Sequence, residues 1–464
     1  MPAIMIAPGD DTISDLLDQA RHSLDPYQAA ALHPWLDASR RAACEKIIFS
    51  QRRHPRLFAQ ASHTPVSLLQ RLALEKDSIT LNKLVKNTAT PSMVLKQLLQ
   101  GDDGRQRQDA VAAHPNASAA LLDSIDDQES PVLRQAICYN RNTGLMQLYR
   151  LLPHASLYEC KGMAQNPHAD SALLRKLWAV FGDQYLHAEI AHHNNCPTEL
   201  LSAALNSESP LLRRKAAGNV NLSDRQLVDL LTDSDARVRA ASLRQLEHAT
   251  VSLIDEPARR VRREMARKSV LDLQLIKNLG DDEDHWVRRW VARNPVTPES
   301  VLRKLANDEQ IEVRRGVARN PSAPIDLITE LASDMESWVR AAVTIRGDLN
   351  QQIIRQLQDD ESVDVLAGLG RNPASPQALL GRIAGHPDRD VRRAVTLNPQ
   401  ASSEVLERLL EDPYPINRAT LCRHPALGDD ELWQLTVDPE AQVRFSAVQQ
   451  LCSRSAAAAA NDLL

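Results

Sequence analysis

Pairs of adjacent arginines recur along the chain at one position of a repeating pattern. The pairs are Arg213–Arg214, Arg262–Arg263, Arg288–Arg289, Arg314–Arg315 and Arg392–Arg393, and single arginines hold the position at Arg134, Arg239, Arg340, Arg418 and Arg444. A row of guanidinium groups can bind nucleic-acid phosphates. It can also form an internal ladder, because a guanidinium pairs with a carboxylate in bidentate geometry.

Aspartates recur in step with these arginines and favour the ladder. They are Asp281, Asp308, Asp334, Asp360, Asp412 and Asp438. We therefore expect the first arginine of each pair to join neighbouring repeats. The second arginine is less regular, since Ala341, Ala367 and Ala419 replace it, and this leaves it available to bind a partner.

Tryptophans mark one stretch of the same pattern. Trp286 and Trp338 share a position at an interval of 52 residues, and other repeats place Glu312, Asp364, Asp390 or Gln442 there. Polar residues at that position indicate that it faces water, and an exposed indole can anchor a partner. Trp290 stands where other repeats have Gly316, Ala342, Gly368 and Ala394. Trp290 therefore either fills a local gap or protrudes.

These residues define the predicted binding site within residues 255–350. The partner-binding set is Trp286, Arg289, Trp290, Arg293, Arg315 and Trp338. Such a set could stack on a base or bind an aromatic or acidic peptide.

The segment HAEIAHHNNC holds the candidate metal ligands His187, His192, His193 and Cys196. These residue types bind zinc. However, a spacing of five places His187 and His192 off one helical face. Histidine also recurs where the repeat pattern normally has asparagine, which indicates a structural role. No metal or other cofactor is predicted.

Signatures of catalysis are missing from the sequence. It has no G-x-S-x-G motif and no Gly-rich phosphate loop, and its 15 glycines are spread singly. Adjacent acids such as Asp281–Asp282 and Asp359–Asp360 recur at turns, so they are predicted to be turn and cap residues. We therefore expect a protein that is not an enzyme.

A repeat of about 26 residues positions all of these side chains. The phrase VRR-x-VARNP occurs at 287–295 and again at 313–321, and its Asn serves as an anchor for alignment. The anchors are Ser62, Asn87, His114, Asn140, Asn166, Asn194, Asn219, Gln245, Lys268, Asn294, Asn320, Arg346, Asn372, Asn398, His424 and Gln450. Periods of this length indicate stacked repeats.

Each repeat predicts two short helices. Val287, Val291 and Ala292 form one helical face, and Asn-Pro ends that helix because proline disfavours helical geometry before it. Phrases such as VTPES and SAPID place a proline at the first position of the second helix, behind a small or hydroxyl N-cap. Helices this short are unstable alone, so they must stack. The predicted fold is all-α, a right-handed α-solenoid of about fifteen two-helix repeats.

The segment VRRWVARNPVTPESVLRKLANDE resembles the leucine-rich repeat variant family, an all-helical solenoid of bacterial proteins. DSDARVRAASLRQL, at 233–246, is similar to HEAT-like repeats. One member of the variant family carries an N-terminal cysteine cluster for an iron–sulfur centre. The first 60 residues here hold only Cys44, so that cofactor is not carried over.

Composition and charge bound the remaining expectations. We predict an N-terminal helical cap at 1–50, the solenoid at 51–452 and a C-terminal tail at 453–464. Six scattered cysteines, no signal-peptide pattern and no apolar run near 20 residues predict a cytoplasmic protein that does not enter a membrane. The net charge of −5 gives no global attraction to nucleic acid.

The preferred functional hypothesis is a scaffold that binds a protein partner along an extended solenoid face. The alternative is a nucleic-acid-binding or DNA-repair solenoid, which would need a basic groove. A third hypothesis, a lyase, rests only on the HEAT-like phrase. The sequence leaves the partner's identity and the oligomeric state open.

Overall fold

A computed structural model describes residues 12, 15, 16, 24–101, 103–125, 130–247 and 255–461 of the chain. In these ranges the chain forms α-helices and three short 3₁₀ segments, His33–Trp35, Leu152–His154 and Leu230–Thr232, and it forms no β-strand. It divides into two compact units, residues 1–54 with 280–464 and residues 55–279.

Most helices belong to two alternating classes. We call the helix that ends at or shortly before an anchor an A helix, and the helix that follows the anchor a B helix. In residues 55–279 the A helices are Ser78–Lys86, Gly104–Ala112, Pro131–Tyr139, Leu157–Gln165, Gln184–His192, Pro210–Ala216, Ala236–Gln245 and Arg259–Met265. The B helices there are Val66–Leu72, Ser92–Gln100, Ala119–Asp123, Leu145–Leu151, Ser171–Val180, Thr198–Leu205 and Asp224–Asp229.

The other unit continues the alternation. Its A helices are His285–Arg293, Ile311–Ala318, Ser337–Val343, Val363–Arg371, Arg389–Thr396, Pro415–Leu421 and Ala441–Asn461. Its B helices are Glu299–Leu305, Ile325–Leu331, Gln351–Leu357, Gln377–Ala384, Ser403–Glu407 and Asp429–Leu435. An A helix at Arg53–Gln60, a B helix at Leu273–Gly280 and two helices outside the repeats, Pro26–Leu32 and Ala38–Ile48, complete the described set. The predicted all-α solenoid of two-helix repeats is confirmed.

Apolar side chains of both helix classes form the core of each repeat. Val287, Val291 and Ala292 of one A helix are buried, and so are Leu302 and Leu305 of the B helix that follows. Each of these A helices packs on the next A helix of its unit. Burying an aliphatic side chain contributes about 1.5–3 kcal/mol, so the stacking of repeats supplies the stability that each short helix lacks.

Asn-Pro ends the A helix as predicted, but the start of the B helix differs from the prediction. Asn294 has extended backbone angles, φ −74° and ψ 124°. The N-cap of the next helix is Pro298 itself, without a side-chain cap, and the Thr297 hydroxyl donates to the Val291 carbonyl at 2.6 Å. The same bond is made by Thr64, Thr90, Thr143 and Ser375. The hydroxyl therefore donates to a carbonyl in the last turn of the A helix, where the main-chain carbonyls lack partners within the helix.

The predicted N-terminal cap contacts the last A helix of its own unit. Helix Pro26–Leu32 packs on Ala441–Asn461, and Gln28 Nε2 donates to the carbonyl of Thr436 at 2.7 Å. Arg444 donates to the carboxylate of Asp25. Other parts of the predicted cap, residues 1–11, 13–14 and 17–23, lie outside the described residues.

The predicted C-terminal tail at 453–464 continues the last A helix as far as Asn461, and residues 462–464 lie outside the described residues. None of the described helices has the length and apolar character that a membrane span requires.

Candidate functional site

Four of the paired arginines, Arg213, Arg288, Arg314 and Arg392, join consecutive repeats. Arg314 donates through Nε to Asp334 Oδ2 at 2.7 Å and through Nη2 to Asp334 Oδ1 at 3.0 Å, and its Nη1 donates to the carbonyl of Asp308 at 2.9 Å. The same bidentate pairing occurs in Arg213–Asp233, Arg288–Asp308, Arg340–Asp360, Arg392–Asp412 and Arg418–Asp438. We call this row the Arg–Asp ladder. Its guanidinium groups are occupied by the protein itself.

The predicted ladder is confirmed for these pairs, but Asp281 was assigned to it incorrectly. Asp281 pairs with Lys304 instead, and Arg288 donates to the carbonyl of Asp282. Three arginines of the row have partners that the sequence pattern did not predict, in the pairs Arg134–Glu159, Arg239–Glu256 and Arg444–Asp25.

The ladder carboxylates are held in the charged form. Burial opposes the ionisation of Asp334, but hydrogen bonds from Arg314 and from the main-chain N–H of Glu336 keep the pKa of that carboxyl below its ordinary value. The pKa values of Asp308, Asp360 and Asp412 are lowered in the same way. These buried pairs of opposite charge therefore act as structural joints between repeats.

Between residues 280 and 450, one repeat replaces both partners of the ladder. Leu366 stands in the arginine position and is buried, and His386 stands 20 residues later, where the aspartate would be. His386 Nδ1 accepts from the main-chain N–H of Asp388 at 3.0 Å, as Asp334 Oδ1 accepts from that of Glu336 at 2.9 Å. In this repeat the arginine and the aspartate are therefore replaced together, so that neither charge is left without its partner.

The anchors form a second row of bonds between repeats. Asn320 Nδ2 donates to the carbonyls of Ala292 at 2.7 Å and Asn294 at 2.8 Å, in the preceding repeat. Equivalent bonds are made by Asn87, Asn140, Asn219, Gln245, Asn372 and Asn398, and the His114 and His424 rings each contact one such carbonyl. Two anchors lie one residue earlier than predicted, at Ala61 and His193. The main-chain carbonyls of these two residues accept the bonds from the next anchors, Asn87 and Asn219, and the His193 ring also contacts the carbonyl of Asn166.

The predicted partner-binding residues lie on the exposed face of consecutive A helices. Trp286, Arg289, Trp290 and Arg293 fall at i, i+3, i+4 and i+7 on helix His285–Arg293, which places them on one side. The side chain of Trp286 is 38% exposed, and that of Trp338 is 54% exposed. The structure therefore brings the predicted residues of the A helix together and keeps both indoles in contact with solvent.

Arginines lie over these tryptophan rings. The Arg289 guanidinium carbon is 5.1 Å from the ring centroid of Trp286 and 5.5 Å from that of Trp290, and Arg293 is 5.6 Å from Trp290. Arg315, on the next A helix, is 5.2 Å from the ring of Trp338 on the one after it. These contacts are within the range of cation–π attraction, so the tryptophans hold the guanidinium groups in place on the surface.

Sequence reasoning missed a fourth arginine of this cluster. Burial, followed by the positive charges of Arg315, Arg293 and Arg289, lowers the pKa of Arg319. Arg319 ends the A helix that carries Arg315, four residues earlier, and Arg293 of the preceding A helix packs against Gly316 between them. The signal was available, because Arg319 is the equivalent of Arg293 in the second copy of VRR-x-VARNP. We call Trp286, Arg289, Trp290, Arg293, Arg315, Arg319 and Trp338 the Trp–Arg surface.

The Trp–Arg surface keeps unused donors. Within the described part of the chain, the buried Nε atoms of Arg315 and Arg319 have no hydrogen-bond acceptor. Buried polar atoms without a partner are rare in folded proteins and cost about 1–3 kcal/mol each.

The candidate metal ligands do not converge. The His187 ring stacks on Trp178 with 3.9 Å between centroids and contacts the Trp178 carbonyl at 3.0 Å, while the His193 ring contacts the Asn166 carbonyl at 2.9 Å as an anchor. Burial, followed by the charge of Glu199, raises the pKa of Cys196 to about 11, which disfavours the thiolate that binds zinc. In the described ranges no three His, Cys, Asp or Glu residues are placed to hold a metal ion. The structure therefore does not bring the four candidate ligands together as a metal-binding group.

The cysteines lie in the core. All six are buried. Burial raises the pKa of Cys44 and Cys160 to about 11 and that of Cys422 and Cys452 to about 12. Thiols with these pKa values stay protonated at neutral pH and are poor nucleophiles.

Comparisons with known proteins return repeat architectures. No protein-family model matches the chain, and no curated protein matches it. A solved structure described as a leucine-rich repeat variant with a novel repetitive protein structural motif is 23% identical, and the match covers 55% of this chain and 94% of that one with a TM-score of 0.33. The description of that structure names the same type of repeat that the segment VRRWVARNPVTPESVLRKLANDE resembles.

A designed armadillo repeat protein in complex with peptide (KR)4 is 12% identical, and the match covers 84% of this chain and 98% of that one with a TM-score of 0.08. An engineered protein is 15% identical over 67% of this chain and 96% of its own, with a TM-score of 0.12. The assignment of an all-α repeat solenoid rests on the helices of this chain.

Proposed function

We propose that this protein is a non-enzymatic scaffold that binds a protein partner through the Trp–Arg surface, and that the partner presents an acidic segment with apolar side chains. The observation that carries the proposal is the clustering of four arginines with three tryptophans on consecutive A helices, where Trp286 and Trp338 are exposed.

Charge supports an acidic partner. The cluster concentrates positive charge in a chain whose formal net charge is −5. Its arginines lie near one another, so each raises the cost of keeping the others charged, as the lowered pKa of Arg319 shows. Carboxylates of a partner would relieve that repulsion and would accept bidentate hydrogen bonds from the guanidinium forks.

Exposed indoles support a peptide with apolar side chains. Tryptophan and arginine are the residue types that dominate the binding energy of protein interfaces, since both combine a large flat area with polar contacts. Arg289 already lies over Trp286 and Trp290, and Arg315 over Trp338. The surface is therefore held in a defined arrangement before binding, which lowers the entropy that binding costs.

The test is selection of ligands from a random peptide display library on the immobilised full chain. We expect the selected peptides to be rich in Asp, Glu and apolar residues, and we expect the Trp286→Ala/Trp338→Ala variant to weaken their binding at least tenfold in fluorescence anisotropy. Ile325→Ala/Val437→Ala is the matched control, because both residues are exposed apolar side chains of the same unit that lie outside the A helices before residue 441 and outside the Trp–Arg surface.

Thermal unfolding of each variant checks that the repeats remain folded. Selection of neutral or basic peptides would contradict the proposal. So would a Trp286→Ala/Trp338→Ala variant that is folded and binds as tightly as the control.

A further inference from the structure

The exposed face of the A helices in residues 55–279 carries a second, chemically distinct surface. Its first part is aromatic, and its second part is strongly basic. We call it the Tyr–Arg face, and it consists of Tyr139, Tyr158, Lys161, Tyr185, His192, Arg214, Lys215, Arg237, Arg244 and Arg260. These residues occupy the same helix positions as the Trp–Arg surface does in the other unit.

Three tyrosines on three consecutive A helices form the aromatic part. Tyr139, Tyr158 and Tyr185 are 43%, 66% and 56% exposed. The ring of Tyr139 covers Gly162 of the next A helix so closely that a methyl group there would lie 2.8 Å from it. Lys161 Nζ lies 5.9 Å from the ring centroid of Tyr158 and 5.4 Å from that of Tyr185, between the two. The rings therefore follow one another along a single face.

Contacts continue this face into the basic part. The His192 ring lies against Gly218, where an added methyl group would be 3.0 Å from Nδ1. Lys215 Nζ donates to Glu189 Oε1 at 3.0 Å, which joins helix Pro210–Ala216 to the preceding A helix. The aromatic and basic parts are thus neighbouring stretches of one surface.

The basic part is a groove of about 470 Å³. Its lining residues are His192, Arg214, Lys215, Gly218, Arg237, Ala240, Ala241, Arg244, Gln245 and Arg260. Five of these side chains carry a positive charge, and none of the described lining residues is a carboxylate. Small residues at Gly218, Ala240 and Ala241 form the floor, so a ligand can reach the cations at the rim.

Some of these cations are already paired at the edge of the groove, and two are not. Lys215 pairs with Glu189, Arg237 with Asp235, and Arg244 with Glu264. Arg237 and Arg244 remain more than half exposed, since their side chains are 54% and 64% accessible. Arg214 and Arg260 make no ion pair within the described ranges. The groove therefore presents excess positive charge that no part of the described chain neutralises.

We propose that the Tyr–Arg face binds a single-stranded nucleic acid, with phosphates in the arginine groove and bases stacked on the tyrosines. Single-strand binding sites of low sequence preference combine a cationic groove for the backbone with aromatic rings for successive bases. Both parts are present here on one face and in sequence along the helices. The inference concerns residues 55–279 and does not depend on the function proposed for the Trp–Arg surface.

A single strand fits this face better than a duplex does. The bases of a duplex are stacked on each other and cannot also stack on Tyr158 or Tyr185. An acidic peptide would use the groove but would leave the row of exposed tyrosines without a planar partner. Duplexes and acidic peptides are therefore treated as competing outcomes of the test.

The test uses the full chain and fluorescein-labelled 20-nucleotide DNA and RNA single strands of mixed sequence, measured by anisotropy between 50 and 300 mM NaCl. We expect Arg214→Gln/Arg260→Gln to weaken binding and to reduce the slope of log affinity against log salt by about 1.4, since each phosphate contact on a single strand contributes about 0.7. We expect Tyr158→Ala/Tyr185→Ala to weaken binding about tenfold for each lost stacking contact, with an unchanged salt slope.

Matched controls come from the B helices of the same unit. Arg225→Gln removes an exposed arginine and Met146→Ala an exposed apolar side chain, and neither lies on the Tyr–Arg face. Both should bind like the wild-type chain. Circular dichroism and thermal unfolding check that every variant is folded, and the arginine substitutions affect residues that are half-buried or exposed.

Several results would overturn the inference. They are no binding of either strand at 50 mM NaCl, equal or tighter binding of the corresponding duplex, and equal loss of binding in the Arg225→Gln control. Insensitivity to the tyrosine substitutions, together with equal binding of heparin or polyglutamate, would assign the groove to polyanions in general and would equally reject a nucleic-acid site.

Discussion

The Arg–Asp ladder and the Trp–Arg surface use the same residue type on the same helices for opposite purposes. Arg314 and Arg315 are adjacent in sequence. Arg314 donates to Asp334 and to the Asp308 carbonyl, whereas Arg315 lies 5.2 Å from the ring of Trp338 and has a buried Nε without an acceptor within the described ranges. One residue corresponds to about 100° of helix rotation. That rotation moves a guanidinium from the joint between repeats to the binding face.

This comparison shows that position in the repeat decides what an arginine does. A count of charged residues cannot separate the two roles, because every ladder arginine is neutralised by a carboxylate of the same chain. The face arginines form their own local field, which the net charge of −5 conceals. Variants at the two positions should therefore affect different properties, namely stability for the ladder and binding for the face.

Breaking the ladder should give the largest effect on stability. We expect Arg314→Ala to lower the free energy of unfolding by about 3–5 kcal/mol, because it leaves the buried carboxylate of Asp334 without its counter-ion. Arg315→Ala should cost about 1 kcal/mol or less, the value of a cation–π contact near the surface. Urea unfolding followed by circular dichroism measures both.

A double variant makes this comparison sharper. Arg314→Leu/Asp334→His copies the combination Leu366 and His386 that the chain itself uses. It should restore most of the unfolding free energy that Arg314→Ala loses, because no buried charge remains. The new histidine can accept from the main-chain N–H two residues later, as His386 accepts from that of Asp388. A double variant less stable than Arg314→Ala would show that the pair contributes more than charge balance.

The sequence predicted those parts of the fold that the repeat itself encodes. The two helices, the Asn-Pro ends and the Arg–Asp spacing recur many times, so each copy supports the others. It did not predict the anchors at His193 and Ala61, because polar residues stand next to each other in HHNN and AQASH. Only the hydrogen bonds between repeats identify them, because the next anchor donates to the carbonyls of Ala61 and His193.

Features that occur once were beyond sequence reasoning. The contact between Pro26–Leu32 and the last A helix joins residues more than 400 positions apart and belongs to no repeat. The Tyr–Arg face was missed for a related reason. Its tyrosines and arginines occupy the helix positions of the Trp–Arg surface, but no single position carries the same residue type through the unit, so the repeat pattern does not mark the face.

The anchor row should give an intermediate effect. We expect Asn320→Ala to destabilise the chain by about 1–3 kcal/mol, since the buried carbonyls of Ala292 and Asn294 lose a donor. Asn320→His should cost less, because the His114 and His424 rings contact the equivalent anchor carbonyl of the preceding repeat. Chemical unfolding of both variants measures the difference, and equal losses would show that the amide is required for more than this bond.

Acid should destabilise the chain by protonating the ladder carboxylates. The contribution of a single carboxylate to this loss is the smallest effect that we predict. The pKa of Asp334 is lowered in the folded chain from its ordinary value of 3.8. The unfolded chain therefore binds a proton at a higher pH than the folded chain does. The stability that this group contributes is fully present above the unfolded pKa and is lost as the pH falls through the folded pKa.

The pH dependence of unfolding tests this directly. Between pH 6 and pH 3 the free energy of unfolding of the wild-type chain should fall. That of Arg314→Leu/Asp334→Asn should fall less, and the difference is the contribution of the Asp334 carboxylate. Asparagine is used here because it does not titrate and still offers an oxygen to the N–H of Glu336. Glu330→Gln, an exposed position of the same repeat, is the control and should follow the wild-type curve. If the ladder variant also followed that curve, acid sensitivity would have to come from carboxylates outside this pair.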